Sequence, residues 1–141
     1  MTKRIAILTF LLTFALGAIA QTTSKTFTKA FNTAGKSKIV FDLPGAVDLK
    51  IWNKPTIRME IVVGLPSGSS SVVDQLAKVG RYDLTAEEKE DMLVITAPNL
   101  GRVVKVKGEE LREHVSYVVF VPKDLEITLP SPTALATVEK K

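Results

Sequence analysis

The sequence contains no cysteine. The protein therefore has no disulfides, no thiolate metal ligands and no cysteine to carry a lipid anchor. Its stability has to come from a hydrophobic core, which a chain of this length can form without cross-links.

Histidine is scarce as well, since His114 is the one histidine. In a helix, Glu110 and His114 would share a face at i, i+4 and could form half of a metal site. Metal sites of that type usually need at least two nitrogen or sulfur ligands. We therefore interpret residues 109–114 as a solvated charged loop, and we expect no metal and no cofactor.

Catalytic motifs are also missing. Ser69, Ser70 and Ser71 do not form a G-x-S-x-G elbow, because Val72 stands where the second glycine belongs. No Gly-Lys-Ser/Thr follows the glycines of residues 64–68, so this segment is not a phosphate-binding loop. The acidic pairs at residues 87–88 and 109–110 are adjacent, which on a strand would point them to opposite faces. We expect a protein that is not an enzyme.

A long hydrophobic run occurs at the N-terminus. Lys3 and Arg4 precede an uncharged run at residues 5–16, and Ala18 and Ala20 form an A-x-A ending. This order predicts a secretory signal peptide of residues 1–20, removed before Gln21. The run is shorter than the ~20 apolar residues that span a bilayer. We expect export to the periplasm or cell surface, without a stable membrane anchor after cleavage.

Excess positive charge is small in the predicted mature chain. Removing residues 1–20 removes two basic and no acidic residues, which lowers the formal net charge from +4 to +2. A nucleic-acid partner is not expected, because such proteins usually carry a dense basic surface. The remaining length predicts a single β-rich domain of residues 21–130, followed by a flexible tail of residues 131–141.

Alternating apolar residues are abundant, most clearly at residues 47–63. Residues 47–52 and 56–63 each alternate apolar and polar side chains around the turn formers Asn53, Lys54 and Pro55. This pattern predicts a β-hairpin with one face to bury on each arm.

Further strands are predicted on both sides of this hairpin. Pro44 and Gly45 suit a type II turn, which would make residues 27–63 a meander. Residues 115–121 are the most apolar strand and are expected to be nearly buried on both faces. The remaining predicted strands are 81–86, 92–97, 102–107 and 125–129, with a charged turn at residues 87–91.

One segment has helical spacing instead. Val72, Val73, Leu76 and Val79 lie on one helical face. Ser71 and Asp74 fit a capping box, and Gly80 fits a left-handed stop. The prediction is one short helix at residues 71–79, in a mainly β fold: an antiparallel meander that forms two short packed or rolled sheets. A compact β-sandwich of different topology is the alternative.

The order of these segments resembles the adhesin-like, β-strand-repeat proteins of bacterial envelopes of the Bacteroidetes type. The likeness is carried by V-D-L-K-I-W-N-K-P-T-I-R-M-E-I, V-V-D-Q-L-A-K-V, R-Y-D-L-T-A-E-E-K-E-D-M-L-V-I-T and Y-V-V-F-V-P-K-D-L-E-I-T-L. The resemblance implies an envelope location, a non-catalytic adhesive or structural role, and a chain that corresponds to the family's N-terminal unit. The family's next strand would then be missing, which leaves Leu125, Ile127 and Leu129 on an edge open to pairing with another chain.

The alternative function is a periplasmic glycan- or peptide-binding module. Its candidate ligand-binding residues are Trp52, Lys105 and Lys107. Trp52 is out of phase with Leu49 and Ile51, so it either stacks on the solvent side, as sugar-binding tryptophans do, or folds under the helix. Packing in the core or at its edge is the favoured interpretation. Lys105 and Lys107 would share the outer face of the strand predicted at residues 102–107.

Overall fold

The structure, a computed structural model, describes residues 23–66 and 70–130. The predicted signal peptide and tail lie outside these residues. The elements are β1 (Thr23–Asn32), β2 (Lys38–Asp42), β3 (Ala46–Trp52), β4 (Thr56–Leu65), α1 (Ser70–Lys78), β5 (Thr85–Lys89), β6 (Met92–Thr96), β7 (Lys105–Val106), β8 (Glu109–Glu110), β9 (His114–Pro122) and β10 (Glu126–Thr128). The predicted mainly β fold with one helix is confirmed. Within the described ranges, no helix has the length and apolar character needed to cross a membrane.

Two four-stranded sheets pack over one core. Sheet A has the order β1-β4-β9-β3 and sheet B the order β10-β2-β6-β5, while β7 and β8 form a separate ribbon. Both sheets direct alternate apolar residues inward, as burial of one face requires. The strand residues of this core include Ile39, Phe41, Ile57, Met59, Ile61, Val63, Leu93, Ile95, Tyr117, Val119 and Val121.

The predicted hairpin of residues 47–63 is wrong in its pairing. Strand β9 lies between its two arms, parallel to β3 and antiparallel to β4, so that Val119 is opposite both Leu49 and Met59. The alternation correctly marked the buried face of β4, whereas on the corresponding face of β3 Val47 and Leu49 are only partly buried and Ile51 is 66% exposed. The alternation carries no information about which strand lies beside which. The most apolar strand takes the interior position of the sheet. Its inner residues are buried, and Val118 and Phe120 on its outer face are half-buried.

The predicted antiparallel meander is also wrong. Strand β2 pairs in parallel with β6 and β10, and β3 pairs in parallel with β9. The short connections at residues 43–45 and 123–125 reverse the chain, but each carries it from one sheet to the other. Gly45 has a positive φ of 138°, which differs from the φ of about 80° in the predicted type II turn.

Helix α1 ends as predicted. Gly80 has a φ of 82°. Its N–H donates to the carbonyl of Ala77 at 3.1 Å, and the N–H of Arg81 donates to the carbonyl of Leu76 at 3.0 Å. These two bonds form a Schellman motif. The helix buries Val73 and forms an ion pair between Asp74 and Lys25 of β1.

Between residues 81 and 113, the observed strands differ in position from the predicted ones. The strand predicted at 81–86 is instead β5 at Thr85–Lys89, with its turn at residues 90–91. The strand predicted at 102–107 is reduced to β7, and residues 109–110 of the predicted charged loop form β8. Lys107 and Gly108 have φ values of 51° and 82°, which suit a two-residue type I′ turn.

Candidate functional site

A buried polar cluster joins the end of α1 to the start of β9. Arg81 and Glu113 form an ion pair, and both side chains are 8% exposed. Arg81 Nε donates to Glu113 Oε1 at 2.8 Å, and the hydroxyl of Tyr82 donates to Glu113 Oε2 at 2.8 Å. The Schellman turn at Gly80 places Arg81 and Tyr82 at this position. We call these three residues the Arg81 cluster.

The guanidinium group also holds a loop. Arg81 Nη1 donates to the carbonyls of Asn99, at 3.1 Å, and Arg102, at 2.8 Å. The side-chain amide of Asn99 in turn donates to the carbonyl of Gly80 at 2.8 Å. The cluster therefore ties the 97–104 segment to the helix end. Since its donors and acceptors bond to one another, they are engaged in structure rather than aimed at a ligand.

Burial raises the pKa of the Tyr82 hydroxyl above its ordinary value of 10.0, and the hydrogen bond to Glu113 raises it further. The phenol therefore stays protonated and keeps donating to the carboxylate well above neutral pH.

A cleft of about 410 Å³ opens beside the cluster. Arg81 and Glu113 form part of its wall, and the exposed side chains of Arg102, Glu110 and Arg112 line the rest of its polar surface. His114 lies nearby in sequence, but it is exposed at the first residue of β9. Across residues 23–66 and 70–130, no group of three or more His, Cys, Asp or Glu side chains could hold a metal ion.

Trp52 is the last residue of β3, and its side chain lies on the outer face of sheet A. Its Nε1 donates to the carbonyl of Thr56 at 2.8 Å, and its ring packs against Phe120 with centroids 5.5 Å apart. Lys54 Nζ lies 5.2 Å from the centroid of the Trp52 ring. The side chain is half-buried, so it is neither a core residue nor a freely exposed platform.

Lys105 and Lys107 do not join Trp52. Lys105 is exposed on the β7-β8 ribbon opposite Glu110, and Lys107 belongs to the turn, so the two lysines do not share a strand face. In the part of the chain that the structure describes, the ring contacts of Trp52 are with Phe120 and Lys54 instead. The predicted three-residue set is therefore divided between two regions of the molecule.

Each sheet has one edge strand at each end: β1 and β3 in sheet A, and β5 and β10 in sheet B. Lys29 of β1 donates to the carbonyl of Leu84, immediately before β5, at 3.1 Å. Phe27 of β1 stacks on Tyr82 with ring centroids 5.5 Å apart. The β1 and β5 edges are therefore neighbours, and β3 and β10 form the edges at the opposite end of their sheets.

This second end leaves apolar side chains incompletely covered. Ile51 is 66% exposed and Leu129 is 38% exposed. Strand β10 forms one edge of sheet B, the position predicted for residues 125–129. Strand β3 forms one edge of sheet A. We call β3 together with residues 125–129 the open end. Its remaining apolar residues, all partly buried, are Val47, Leu49, Leu125 and Ile127.

The other two edges are protected against pairing. Strand β1 points Lys25 and Lys29 inward and is contacted by α1. The five residues of β5 are all exposed and include Glu87, Glu88 and Lys89. Inward-pointing charges, covering helices and charged edge residues all discourage strand addition. The open end lacks a covering helix among the described elements.

Sequence reasoning missed the Arg81 cluster. Arg81 was assigned to a strand, and Glu113 to a charged loop 32 positions away. The one local signal is the helix stop at Gly80, which places the next two residues against the helix end. Partners so distant in sequence are brought together only by the packing of α1 against the sheets.

No protein-family model matches the chain, and no curated protein matches it. Among solved structures, it is similar to a crystal structure described as a "putative cell adhesion protein" from Clostridium sporogenes. The TM-score is 0.42, with 13% sequence identity over 76% of this chain. The chain spans less than half, 46%, of that protein. The likeness is to one protein described as adhesive, and it does not extend to the Bacteroidetes-type repeat proteins. Because the TM-score and the sequence identity are low, the likeness carries no functional argument.

Proposed function

We propose that this chain is a non-enzymatic, exported cell-envelope protein that acts as an adhesin-like or structural interaction module. The observation that carries the proposal is the open end, where two strand edges lie beside partly covered apolar side chains. An extended strand added there would gain main-chain hydrogen bonds and bury apolar surface at the same time. The other sheet edges, which are charged or covered, do not offer this combination.

The Arg81 cluster supports a non-catalytic role in a simple way. Its buried carboxylate, guanidinium and phenol are hydrogen-bonded to one another and to the backbone. A catalytic group would instead need a free proton-transfer position within reach of a substrate. The cluster stabilises the fold near the cleft.

Export is supported by the pattern of residues 1–20. The expected outcome for the full chain produced in a bacterium with a secretory pathway is a periplasmic or released protein that begins at Gln21. Fractionation followed by mass spectrometry of the intact protein measures this. A cytoplasmic product that retains residues 1–20 would contradict the exported role.

The interaction role is tested by retention of residues 21–141 on isolated bacterial envelopes. Ile51→Lys places a charge in the open end. Val103→Lys is the matched control, since Val103 is 69% exposed and lines the cleft beside the Arg81 cluster. Burying an isoleucine contributes about 1.5–3 kcal/mol, so Ile51→Lys is expected to weaken retention about tenfold or more, and Val103→Lys to leave it unchanged.

Two results would count against the proposal. Equal retention of all three proteins would exclude the open end as the binding surface. Absence of retention for the unmodified chain would exclude the adhesive role itself.

A glycan-binding module is a second candidate, favoured by the rings and cations on the outer face of sheet A. Lys50 Nζ and Arg58 Cζ lie 5.9 and 5.8 Å from the centroid of Phe120, which packs on Trp52. An aromatic surface among cations suits an acidic sugar. A glycan array comparing the unmodified chain with Trp52→Ala tests this, with Lys89→Ala on the exposed strand β5 as control. A signal that Trp52→Ala does not reduce would exclude this surface.

A further inference from the structure

We propose that the partner of the open end is a second copy of this chain, joined by antiparallel pairing of β3 with β3 about a two-fold axis through Leu49. The inference rests on the proposed use of the open end and adds the identity of its occupant. It follows from the order of side chains along β3 (Ala46–Trp52), which is complementary to itself when reversed.

Pairing centred on Leu49 places opposite charges together. Asp48 of each copy lies opposite Lys50 of the other, and Val47 lies opposite Ile51. Because a two-fold interface repeats each contact, the dimer gains two charge pairs and two apolar pairs. Within one copy, Lys50 Nζ is already 4.0 Å from Asp48 Oδ2, and both side chains are more than half exposed. Both are therefore free to turn toward a neighbouring strand.

Other registers are less favourable. Shifting the axis to Asp48 places that carboxylate opposite its own copy, and shifting it to Lys50 does the same with two ammonium groups. If the axis passed between two neighbouring residues, the outer face of sheet A in one copy would continue into the inner face of sheet A in the other copy. The register centred on Leu49 is also the one that pairs all seven residues of β3.

The same arrangement covers the exposed apolar residues of the open end. The two sheets A would become one continuous sheet, which buries the 66% exposed Ile51 against Val47 of the other copy. A single strand pair buries less than the roughly 1,200 Å² of stable complexes, so we expect a weak dimer.

The test is sedimentation velocity of residues 21–141 over roughly 10 μM to 1 mM, the range in which a small interface associates. Asp48→Lys and Lys50→Asp each place like charges opposite one another twice, and each should weaken dimerisation about tenfold or more. The double exchange Asp48→Lys/Lys50→Asp restores opposite charges and should restore the dimer.

Strand β5 provides a matched control. Its Lys89 Nζ lies 3.9 Å from Glu87 Oε2, the same i, i+2 arrangement on an edge strand at the other end. Glu87→Lys should leave dimerisation unchanged. Trp52 gives an independent signal, because it is the one tryptophan and would face Ala46 of the other copy. Its fluorescence should change with concentration in the unmodified chain and not in Asp48→Lys.

A monomer at 1 mM would overturn the inference, as would a double exchange that fails to restore dimerisation. Hydrogen exchange then identifies the occupant. Slow exchange of the outward β3 amides in a monomer would assign the edge to another segment of this chain, and rapid exchange would leave it open to a foreign strand. A monomer that still loses envelope retention through Ile51→Lys would reject self-pairing and keep the proposed function.

Discussion

The two tyrosines are both buried, yet their hydroxyl groups differ in their surroundings. The hydroxyl of Tyr82 donates to Glu113, whereas that of Tyr117 has no hydrogen-bond partner among the described residues. A buried polar group without a partner costs free energy that a buried bonded group does not. The two positions therefore respond differently to removal of one oxygen atom.

Replacing each tyrosine by phenylalanine tests this difference. Tyr82→Phe is expected to lower the free energy of unfolding by about 1–2 kcal/mol, because it leaves one carboxylate oxygen of Glu113 without its donor. Tyr117→Phe is expected to be neutral or to stabilise by up to about 1 kcal/mol. Denaturant unfolding measures both. A larger loss for Tyr117→Phe than for Tyr82→Phe would show that its hydroxyl is bonded in solution.

The Arg81 cluster makes a second prediction at this scale. Glu113→Gln removes the charge that compensates the buried Arg81, and breaking a buried ion pair typically costs about 3–5 kcal/mol. Replacing both partners with Arg81→Met/Glu113→Leu is expected to recover much of this loss, since no unpaired charge remains. Thermal unfolding of the single and double variants compares them. Equal losses in both would mean that packing, not charge, determines the stability of this region.

At the scale of elements, the short connections between the sheets determine the topology. Gly45 lies between β2 and β3 with a φ of 138°, and a Cβ added there would collide with the carbonyl oxygen of Val115 at the start of β9. This glycine therefore allows the turn and the close approach of β9 at one position.

Gly45→Ala is expected to destabilise the protein by about 3 kcal/mol or more, because backbone strain and a collision with backbone add together. Gly101→Ala is the control, since a Cβ there would meet nothing within 4 Å. Chemical denaturation of both variants gives the comparison. A loss for Gly45→Ala no larger than that of Gly101→Ala would mean that this corner can relax.

At the scale of the whole molecule, both tyrosines couple folding to alkaline pH. The pKa of each is raised above its ordinary value of 10.0, mainly by burial, and the negative charge of Glu113 adds to this at both positions. The unfolded chain therefore loses these protons first. Their contribution to stability is complete below about pH 10 and is lost as the pH rises further, by at most about 1.4 kcal/mol per pH unit for each tyrosine.

An alkaline titration checks this directly, because the chain contains two tyrosines and both are buried. Tyrosinate absorbance is expected to appear together with the loss of the β circular dichroism signal, well above about pH 10. Tyr117→Phe should remove about half of the absorbance change. Tyrosinate absorbance near its ordinary pKa, with the fold intact, would contradict the burial of these hydroxyls.

Local patterns were sufficient for the parts of the fold that depend on neighbouring residues. The alternation of residues 47–63 identified two strands and the inward-facing phase of each, and Gly80 identified the helix stop, because phase and cap are determined within a few positions of the chain. Strand β10 (Glu126–Thr128) lies at a sheet edge among the described residues, and the pairing of residues 125–129 with another chain stays a prediction. The structure places Trp52 on sheet A and Lys105 and Lys107 on the β7-β8 ribbon, and their role in ligand binding stays a prediction.

The sequence by itself determined the inward-facing phase of the longer strands and where most strands would form, since side-chain period and turn chemistry are local properties. Only the tertiary structure decided that β9 would separate β3 from β4, that Arg81 would meet Glu113, and that β3 and β10 would share an open end. Each of these depends on competition among strands with similar apolar faces. The pairing that forms is the one in which all the strands together bury the most edge and side-chain surface, and no single segment encodes this.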